Sequence, residues 1–524
     1  MDIDDNIGRE ERTSLLNRTM SDSATTTESV DNDAKVIPPA LTHEHLKQLP
    51  VQGIGFLVDA YDLFSMTTVN VILSVEYPKE FTVEHKGRLN GAVFLGCIVG
   101  QILFGYLADR IGRARIFITT CIMLICGSLL CTITPYPFSF VYNAHTILWT
   151  LTIARFLLGI AIGGEYPLSA TVASEHSHAN LRGFQTALVH AGQGLGALLS
   201  CLFGLFLVNI YANQRPYKQN NLETIWRLLF SFGILPALCI LPLRCKMKES
   251  KHFSRNKKKT ILDKRHTSKM TPMSNVCWVL NNYGKRMIGT AGCWFINDII
   301  FYGIGIWLAT ILLELENSNK PPSINKNTLR DVLTSTFIVA VCGLPWYFVS
   351  AFFIDRVGHR KMQLYGFLGL SITSCLFSLF YTQVASSMIT FIVFLTILFA
   401  FLNLGSNTTT FIIASESYPS KIRATMHGIS AAFGKCGAFI GASFFYTIKS
   451  LYGAARCFLL ISLLSLIGLI LTYFFINEYC NVDLRLIDLE YEEKLLQFAG
   501  RNQKKEEVGH EEREKESQNR MLYA

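Results

Sequence analysis

Between about residues 48 and 477 the chain is a succession of long apolar runs separated by short polar turns. A helix needs roughly 20 predominantly apolar residues to cross a hydrocarbon core. Twelve runs reach that length, near 48–75, 88–108, 115–135, 146–173, 184–210, 225–243, 287–313, 330–353, 363–382, 387–413, 425–449 and 456–477. Any single one reads equally well as a helix buried inside a large soluble core, but twelve in series do not. The pattern predicts an all-α membrane protein with twelve transmembrane helices. The polar landmarks between the runs occur twice. GYLADRIGRAR (Gly105 to Arg115) returns as AFFIDRVGHRK (Ala351 to Lys361), so that Asp109, Arg110 and Arg113 answer Asp355, Arg356 and His359. SEHSHANLRG, with Glu175 and Arg182, returns as SESYPSKIRA, with Glu416 and Arg423; Asp59 answers Asp298 and Gln193 answers Lys435. The offsets lie between 239 and 246 residues, which predicts two pseudo-symmetric six-helix bundles over 48–245 and 287–477, with site residues at their interface.

Composition agrees with a lipid solvent: half the residues are hydrophobic and 17% are charged. The stretch Arg244 to Arg286 carries thirteen basic residues against two acidic ones, and the turns that hold the repeated landmarks are basic too. The positive-inside bias puts both termini and a basic central loop, 246–286, in the cytosol. Topology then accounts for the formal charge of +9 and removes the case for nucleic acid. The tails, 1–47 and 478–524, are polar; the first is expected to be largely disordered, and leucine spacing in the second predicts a short helix around Leu484–Phe498. The first span is expected to act as its own insertion signal. Glu11, Leu15 and Leu16 resemble an acidic dileucine signal read by clathrin adaptors, a pattern short enough to arise by coincidence. Asn17 and Asn407 open glycosylation sequons, but one is cytosolic and the other inside a span. The fourteen cysteines show no metal-ligand spacing and no paired pattern in exterior loops, so no metal, cofactor or disulfide framework is expected.

Ionisable side chains inside spans are the strongest functional signal, since each costs roughly 2.5–3.5 kcal/mol at the bilayer centre on insertion scales. They are Asp59 and Asp62 in span 1, Arg155 and Glu165 in span 4, Asp298 in span 7 and Lys435 in span 11. A structural ion pair is the alternative to a site, and Arg155, which needs a carboxylate, stands between the two readings. Trp294, Asp298 and Tyr302 recur at i, i+4 and i+8 and share a helix face. Tyr166, Gln193 and Asn407 add neutral donors from other spans, and Lys435 adds a cation. Such a set suits an oxygen-rich anion. Neither a nucleophile-base constellation nor a cofactor motif points to an enzyme.

These residues resemble the phosphate:proton symporter family of the major facilitator superfamily. GYLADRIGRAR looks like the superfamily's loop between spans 2 and 3, and GGEYPLSAT is similar to the phosphate family's span 4 signature, with Glu165 where those symporters usually have Asp. The resemblance covers 48–477 and implies the major facilitator fold, import of inorganic phosphate with protons, and alternating access. It places phosphate binding on Tyr166, Gln193, Trp294, Asp298, Tyr302 and Asn407, with Lys435 as the cation facing substrate. Proton coupling falls on Asp59, Asp62, Arg155 and Glu165 as well as Asp298, with Arg155 expected to hold Glu165. Gating is expected from a latch of Asp109, Arg110, Arg113, Glu175, Arg182, Asp355, Arg356, Glu416 and Arg423. Glu165 also looks like the glycerophosphodiester permeases, so a proton-coupled transporter of organic phosphates or other organic anions, and a phosphate-sensing receptor, stand as alternatives. A plasma-membrane home is the plainer expectation, with an endolysosomal or vacuolar membrane as the other; oligomeric state is left open.

Overall fold

The computed structural model describes residues 43–212, 219–247, 249, 272–318 and 329–498, and among these twelve helices are long and apolar enough to cross a membrane. The dileucine residues Glu11, Leu15 and Leu16, and most of the basic central loop, lie outside the described residues. The first six helices are α1 (His43–Glu76), α2 (Val83–Ile111), α3 (Arg113–Ile133), α4 (Ala144–His176), α5 (Arg182–Tyr211) and α6 (Gln219–Cys245). The second six are α7 (Pro272–Ser318), α8 (in two halves, Leu329–Gly343 and Pro345–Val357), α9 (His359–Leu379), α10 (Met388–Glu416), α11 (Arg423–Tyr452) and α12 (Ala454–Phe475). A further helix follows at 484–498, where leucine spacing predicts one. One boundary differs markedly. Residues 272–286, expected in the central loop, begin α7, whose 47 residues span about 70 Å at 1.5 Å each, far more than a bilayer requires.

Packing repeats between the halves. Helix α3 lies on α6 as α9 lies on α12, and the halves meet along two seams, α2 against α11 and α5 against α8. The glycine in each copy of the repeated loop has a backbone reason: Gly112 and Gly358 sit between consecutive helices at φ 122° and 97°. A side chain there would be strained, by roughly 1–2 kcal/mol. Polarity is inverted relative to a soluble protein. Ile102, Leu129, Leu202, Ile372 and Ile470 face outward, whereas Asp59, Asp62, Arg155, Glu165, Asp298 and Lys435 are all buried. That is the arrangement lipid demands.

Two irregular stretches shape the interior. α8 breaks at Leu344 before Pro345, and the carbonyl of Gly343 accepts a hydrogen bond from Asn403 Nδ2 at 3.2 Å. Asn403 itself lies in a π-helical segment of α10, Leu402–Ser406, whose freed Leu404 carbonyl accepts from Ser350 Oγ at 2.9 Å. Each defect thus satisfies the other's backbone, as a low-dielectric interior requires.

Candidate functional site

The centre of the molecule holds a continuous polar cluster drawn from both halves. Helical spacing puts Asp298 and Tyr302 one turn apart on α7, and Lys435 on α11 reaches both: Nζ donates to Asp298 Oδ2 at 2.9 Å and to the Tyr302 hydroxyl at 3.0 Å. Its ammonium also lies over the rings of Tyr166 and Tyr302, 4.4 and 4.3 Å from their centroids. The Tyr302 hydroxyl is 3.0 Å from that of Tyr166 on α4 and accepts from Gln193 Nε2 on α5 at 3.4 Å. Trp294, one turn before Asp298, packs its indole against Tyr166, Phe411 and His427. Asn407 joins through Asn297, whose Nδ2 donates to Asp298 Oδ1 at 3.1 Å and to Asn407 Oδ1 at 3.4 Å. The structure therefore brings together all seven residues expected around an anion, each with at most 4% of its surface exposed.

Three members of this cluster have no counterpart in the sequence reading: Asn297, Asn403 and Tyr347. Asn407 Nδ2 donates to the Tyr347 hydroxyl at 3.0 Å and to Asn403 Oδ1 at 3.2 Å. Asn297 had a signal, being next to Asp298; the π segment that turns Asn403 toward Asn407 leaves none in composition. An apolar crevice bordered by Phe64, Phe301, Thr336, Val339 and Phe399 ends at Tyr347 and Asn403, between α5 and α8.

A second polar group belongs to the first half, and here the structure corrects an expectation. Glu165 is not held by Arg155. Its carboxylate receives Arg244 NH1 and NH2, both at 2.6 Å, and Thr120 Oγ1 at 2.6 Å. Arg155 stands ten residues earlier on α4, about 15 Å along the axis. It donates to the backbone carbonyl of Asp62 at 2.8 Å and lies over the Phe230 ring. Arg244, counted from sequence only among the basic residues that run on to Arg286, is a buried cation in the last turn of α6. Asp62 Oδ2 accepts from Ser128 Oγ at 2.9 Å. Asp59 is fully buried, and neither of its carboxylate oxygens has a hydrogen-bond donor among the described residues.

The third group closes one end of both seams, hereafter the latch. Asp109, at the end of α2, accepts the backbone N–H of Ala424 and Thr425 at 3.3 and 2.7 Å and so caps α11. Asp355, at the end of α8, accepts the N–H of Phe184 at 2.7 Å in the first turn of α5. A carboxylate at a helix N-terminus satisfies orphan donors and opposes the positive end of the helix dipole. Each half thus caps a helix of the other. Arg113 pairs with Asp109 and Glu175 at 3.1 and 3.0 Å, Arg423 reaches Glu175 at 3.4 Å, and Arg182 pairs with Glu416 at 2.7 Å. Arg110 and Arg356, expected in the same latch, turn away from it: both are exposed and stack on Tyr106 and Phe352 of their own helices. The glycine between the helices resets the phase, so Arg113, three residues later, faces inward.

Two caps went unseen in the sequence. Glu249, after α6, accepts the N–H of Arg113 and Ala114, and Glu478, after α12, accepts the N–H of His359 and Arg360. They are symmetric partners. The segment after α12 also crosses the latch, since Arg182 NH2 donates to the carbonyls of Val482 at 2.8 Å and Tyr479 at 3.4 Å. Outside the membrane spans, Glu490 on the helix at 484–498 is partly desolvated, which opposes ionisation, but hydrogen bonds from Lys494 and Arg286 prevail and hold its carboxyl below the usual range.

Twelve spans in two matched halves around a buried polar centre have the architecture of a membrane transporter of the major facilitator type. The family model described as "Sugar (and other) transporter" matches residues 50–491. A putative inorganic phosphate transporter 1-13 of Oryza sativa subsp. japonica is 33% identical over 431 residues, covering 77% of this chain and 84% of that protein. Inorganic phosphate transporter 1-1 of Arabidopsis thaliana is 30% identical over 487 residues, covering 82% and 92%. Among solved structures, the proton:xylose symporter XylE superposes with a TM-score of 0.67 at 18% identity over 85% of this chain and 98% of that one, a likeness of fold. The chain belongs to the major facilitator superfamily, in the phosphate:proton symporter family.

Proposed function

We propose that the protein imports inorganic phosphate into the cytosol together with protons, by alternating access between the two halves. The observation that carries this reading is the central cluster, in which one lysine and one aspartate neutralise each other amid neutral hydrogen-bond donors. Phosphate entering as a monovalent anion draws Lys435 from Asp298 and leaves the site with a net charge of −1. Protonating Asp298 restores neutrality and turns the carboxyl into a partner for a phosphate oxygen. Substrate and proton then favour each other's binding. Tyr166, Gln193, Trp294, Tyr302 and Asn407 donate to the remaining oxygens. The printed names of the two plant relatives support the same substrate. Glu165 is tied to Arg244 and Thr120 instead of the central cluster, so its extra methylene gives no ground for a larger phosphoester.

Asp59, which has no donor among the described residues, and Asp62 are the proton carriers of this proposal, and the Glu165–Arg244 pair is the charge switch that a proton opens. The positive-inside bias makes the latch side cytosolic, with both termini there; the plasma membrane is the site of action in this proposal. The test is radiolabelled phosphate uptake in cells stripped of their own phosphate transporters, at acidic and neutral external pH, with and without excess glycerophosphoinositol. Uptake that rises in acid and ignores the competitor is the expected result. Strong competition would move the assignment to an organic phosphate.

A further inference from the structure

The two halves differ at one position of the latch. Where the first half has Arg113, bridging Asp109 and Glu175, the second has His359, 2.9 Å from Glu416 through Nδ1 and 3.4 Å from Asp355 Oδ1 through Nε2. If the site needed only a cation, the arginine of the first half would serve. A third residue now enters from the segment after α12: Cys480 Sγ, a ring nitrogen of His359 and a carboxylate oxygen of Asp355 lie within 4.8 Å of one another. We propose that Asp355, His359 and Cys480 bind a divalent transition metal of the Zn²⁺ class, and that its occupancy holds the latch closed.

The donor set and its spacing suit that ion. Zn²⁺ takes carboxylate oxygen and imidazole nitrogen at about 2.0–2.2 Å and thiolate at about 2.3 Å in tetrahedral array, which places neighbouring O and N ligand atoms roughly 3.3–3.5 Å apart. The 3.4 Å between Asp355 Oδ1 and His359 Nε2 meets this. A metal-binding histidine also uses its second nitrogen on a carboxylate that fixes the ring and raises its basicity. Glu416 occupies that place on a fully buried imidazole. Asp355 keeps its capping role, since Oδ2 takes the Phe184 N–H and leaves Oδ1 for the ion. Cys480 and Asp355 are partly exposed, which gives the ion a route from solvent and the fourth position to water. On binding, the thiol proton and the imidazolium proton on Nε2 both leave to solvent as the Zn–S and Zn–N bonds form, His359 keeps its Nδ1 proton toward Glu416, and carboxylate plus thiolate neutralise the divalent charge.

The mechanical consequence follows from the neighbours of Cys480. Tyr479 and Val482 present the carbonyls that Arg182 holds from the first half, and Glu478 caps α9. Tying Cys480 to α8 and α9 fixes this strap in the position that the closed latch uses. A ligand shifts an equilibrium only by its preference between states; here the preference is for closed, so metal slows turnover. None of this depends on which anion is carried.

The test uses the purified full-length protein in phosphate-free buffer. Zn²⁺ is titrated by calorimetry and Co²⁺ by optical absorption, on the wild type, Cys480→Ser and His359→Arg. We expect one site in the wild type with a thiolate-to-cobalt charge-transfer band, the band lost in Cys480→Ser, and Zn²⁺ affinity at that site lowered about tenfold or more in both variants. In cells whose cytosol is loaded with Zn²⁺ through an ionophore, so that the ion reaches the latch side, phosphate uptake by the wild type should fall, while Cys480→Ser, which alters no ion pair of the latch, retains uptake and loses the inhibition. Equal Zn²⁺ affinity in all three proteins, or a cobalt spectrum without the thiolate band, overturns the site. Binding that leaves uptake unchanged overturns the latch role.

Discussion

Three buried acids with three kinds of surroundings separate the residues by role. Asp298 is paired with a lysine, Glu165 with an arginine, and Asp59 accepts no hydrogen bond among the described residues. Asp298→Asn removes the charge that Lys435 answers and, in the proposed cycle, the group that takes the proton, so concentrative uptake should be abolished; a variant that still accumulates phosphate against its gradient would falsify the assignment. Asp59→Asn is the complementary case. The amide keeps the shape and forfeits no hydrogen bond, so expression and thermal midpoint should hold while the acid stimulation of uptake flattens, a difference read from uptake at two external pH values. For Glu165 the prediction concerns stability. Arg244→Ala strands a carboxylate that is 1% exposed, and losing one partner of such a pair typically costs about 3–5 kcal/mol. Adding Glu165→Gln to Arg244→Ala should recover much of that loss, visible as a thermal midpoint above that of Arg244→Ala alone. These residues were legible one by one, because a charge in an apolar run announces itself. Their partners were not. Sequence says which charges are buried, while pairing depends on depth, and the 15 Å or so between Arg155 and Glu165 along one helix decides it.

Among elements, the seam between α2 and α11 is built on close backbone approach at both ends. A Cβ at Gly105 would stand 2.7 Å from the Ala424 carbonyl at the latch, and one at Gly87 would stand 2.8 Å from the Ser443 carbonyl at the far end. The structure is therefore closed on both sides of the central cluster along this seam, and the two glycines make a matched pair of wedges. Gly105→Val should pry the latch end apart and Gly87→Val the opposite end, biasing the transporter toward opposite open states. Ser420 is buried at the latch, where its carbonyl accepts from Arg113 at 3.0 Å, so labelling of Ser420→Cys by a membrane-impermeant thiol reagent applied from the latch side should rise in the first variant and fall in the second. Equal labelling would mean that this seam does not part during transport. The caps act at the same scale. Asp109→Asn keeps a capping oxygen but removes the charge that faces the α11 N-terminus and Arg113, a helix-dipole loss of roughly 0.3–1 kcal/mol, so turnover should change while phosphate affinity, measured by binding to purified protein, does not. The number and order of the spans were legible from run length, and the short helix at 484–498 from its leucine spacing. The π segment of α10 was not. It depends on the break in α8 that faces it, a tertiary circumstance no local pattern carries.

At the scale of the whole molecule, the sequence echo becomes an exchange of caps, Asp109 to α11 and Asp355 to α5, so each half holds the other shut at the latch. Such an arrangement must be opened by energy from somewhere, and the driving ions set the limit. Bringing a monovalent phosphate in against 100 mV, inside negative, costs about 2.3 kcal/mol, and a hundredfold accumulation adds about 2.7 kcal/mol. One proton crossing the same potential and a pH difference of one unit supplies about 3.7 kcal/mol, less than the roughly 5 kcal/mol required. Two protons supply about 7.4 kcal/mol. With two protons per monovalent phosphate, each cycle carries one net positive charge inward. In proteoliposomes, uptake should be electrogenic and accelerated by an inside-negative potassium diffusion potential at constant pH gradient. A rate indifferent to that potential would mean one proton per phosphate, and would then cap accumulation at the pH gradient alone, about tenfold per unit. The buried acids number more than one proton needs, with Asp59 and Asp298 at corresponding places in the two halves, and that surplus is the structural reason to expect the electrogenic result.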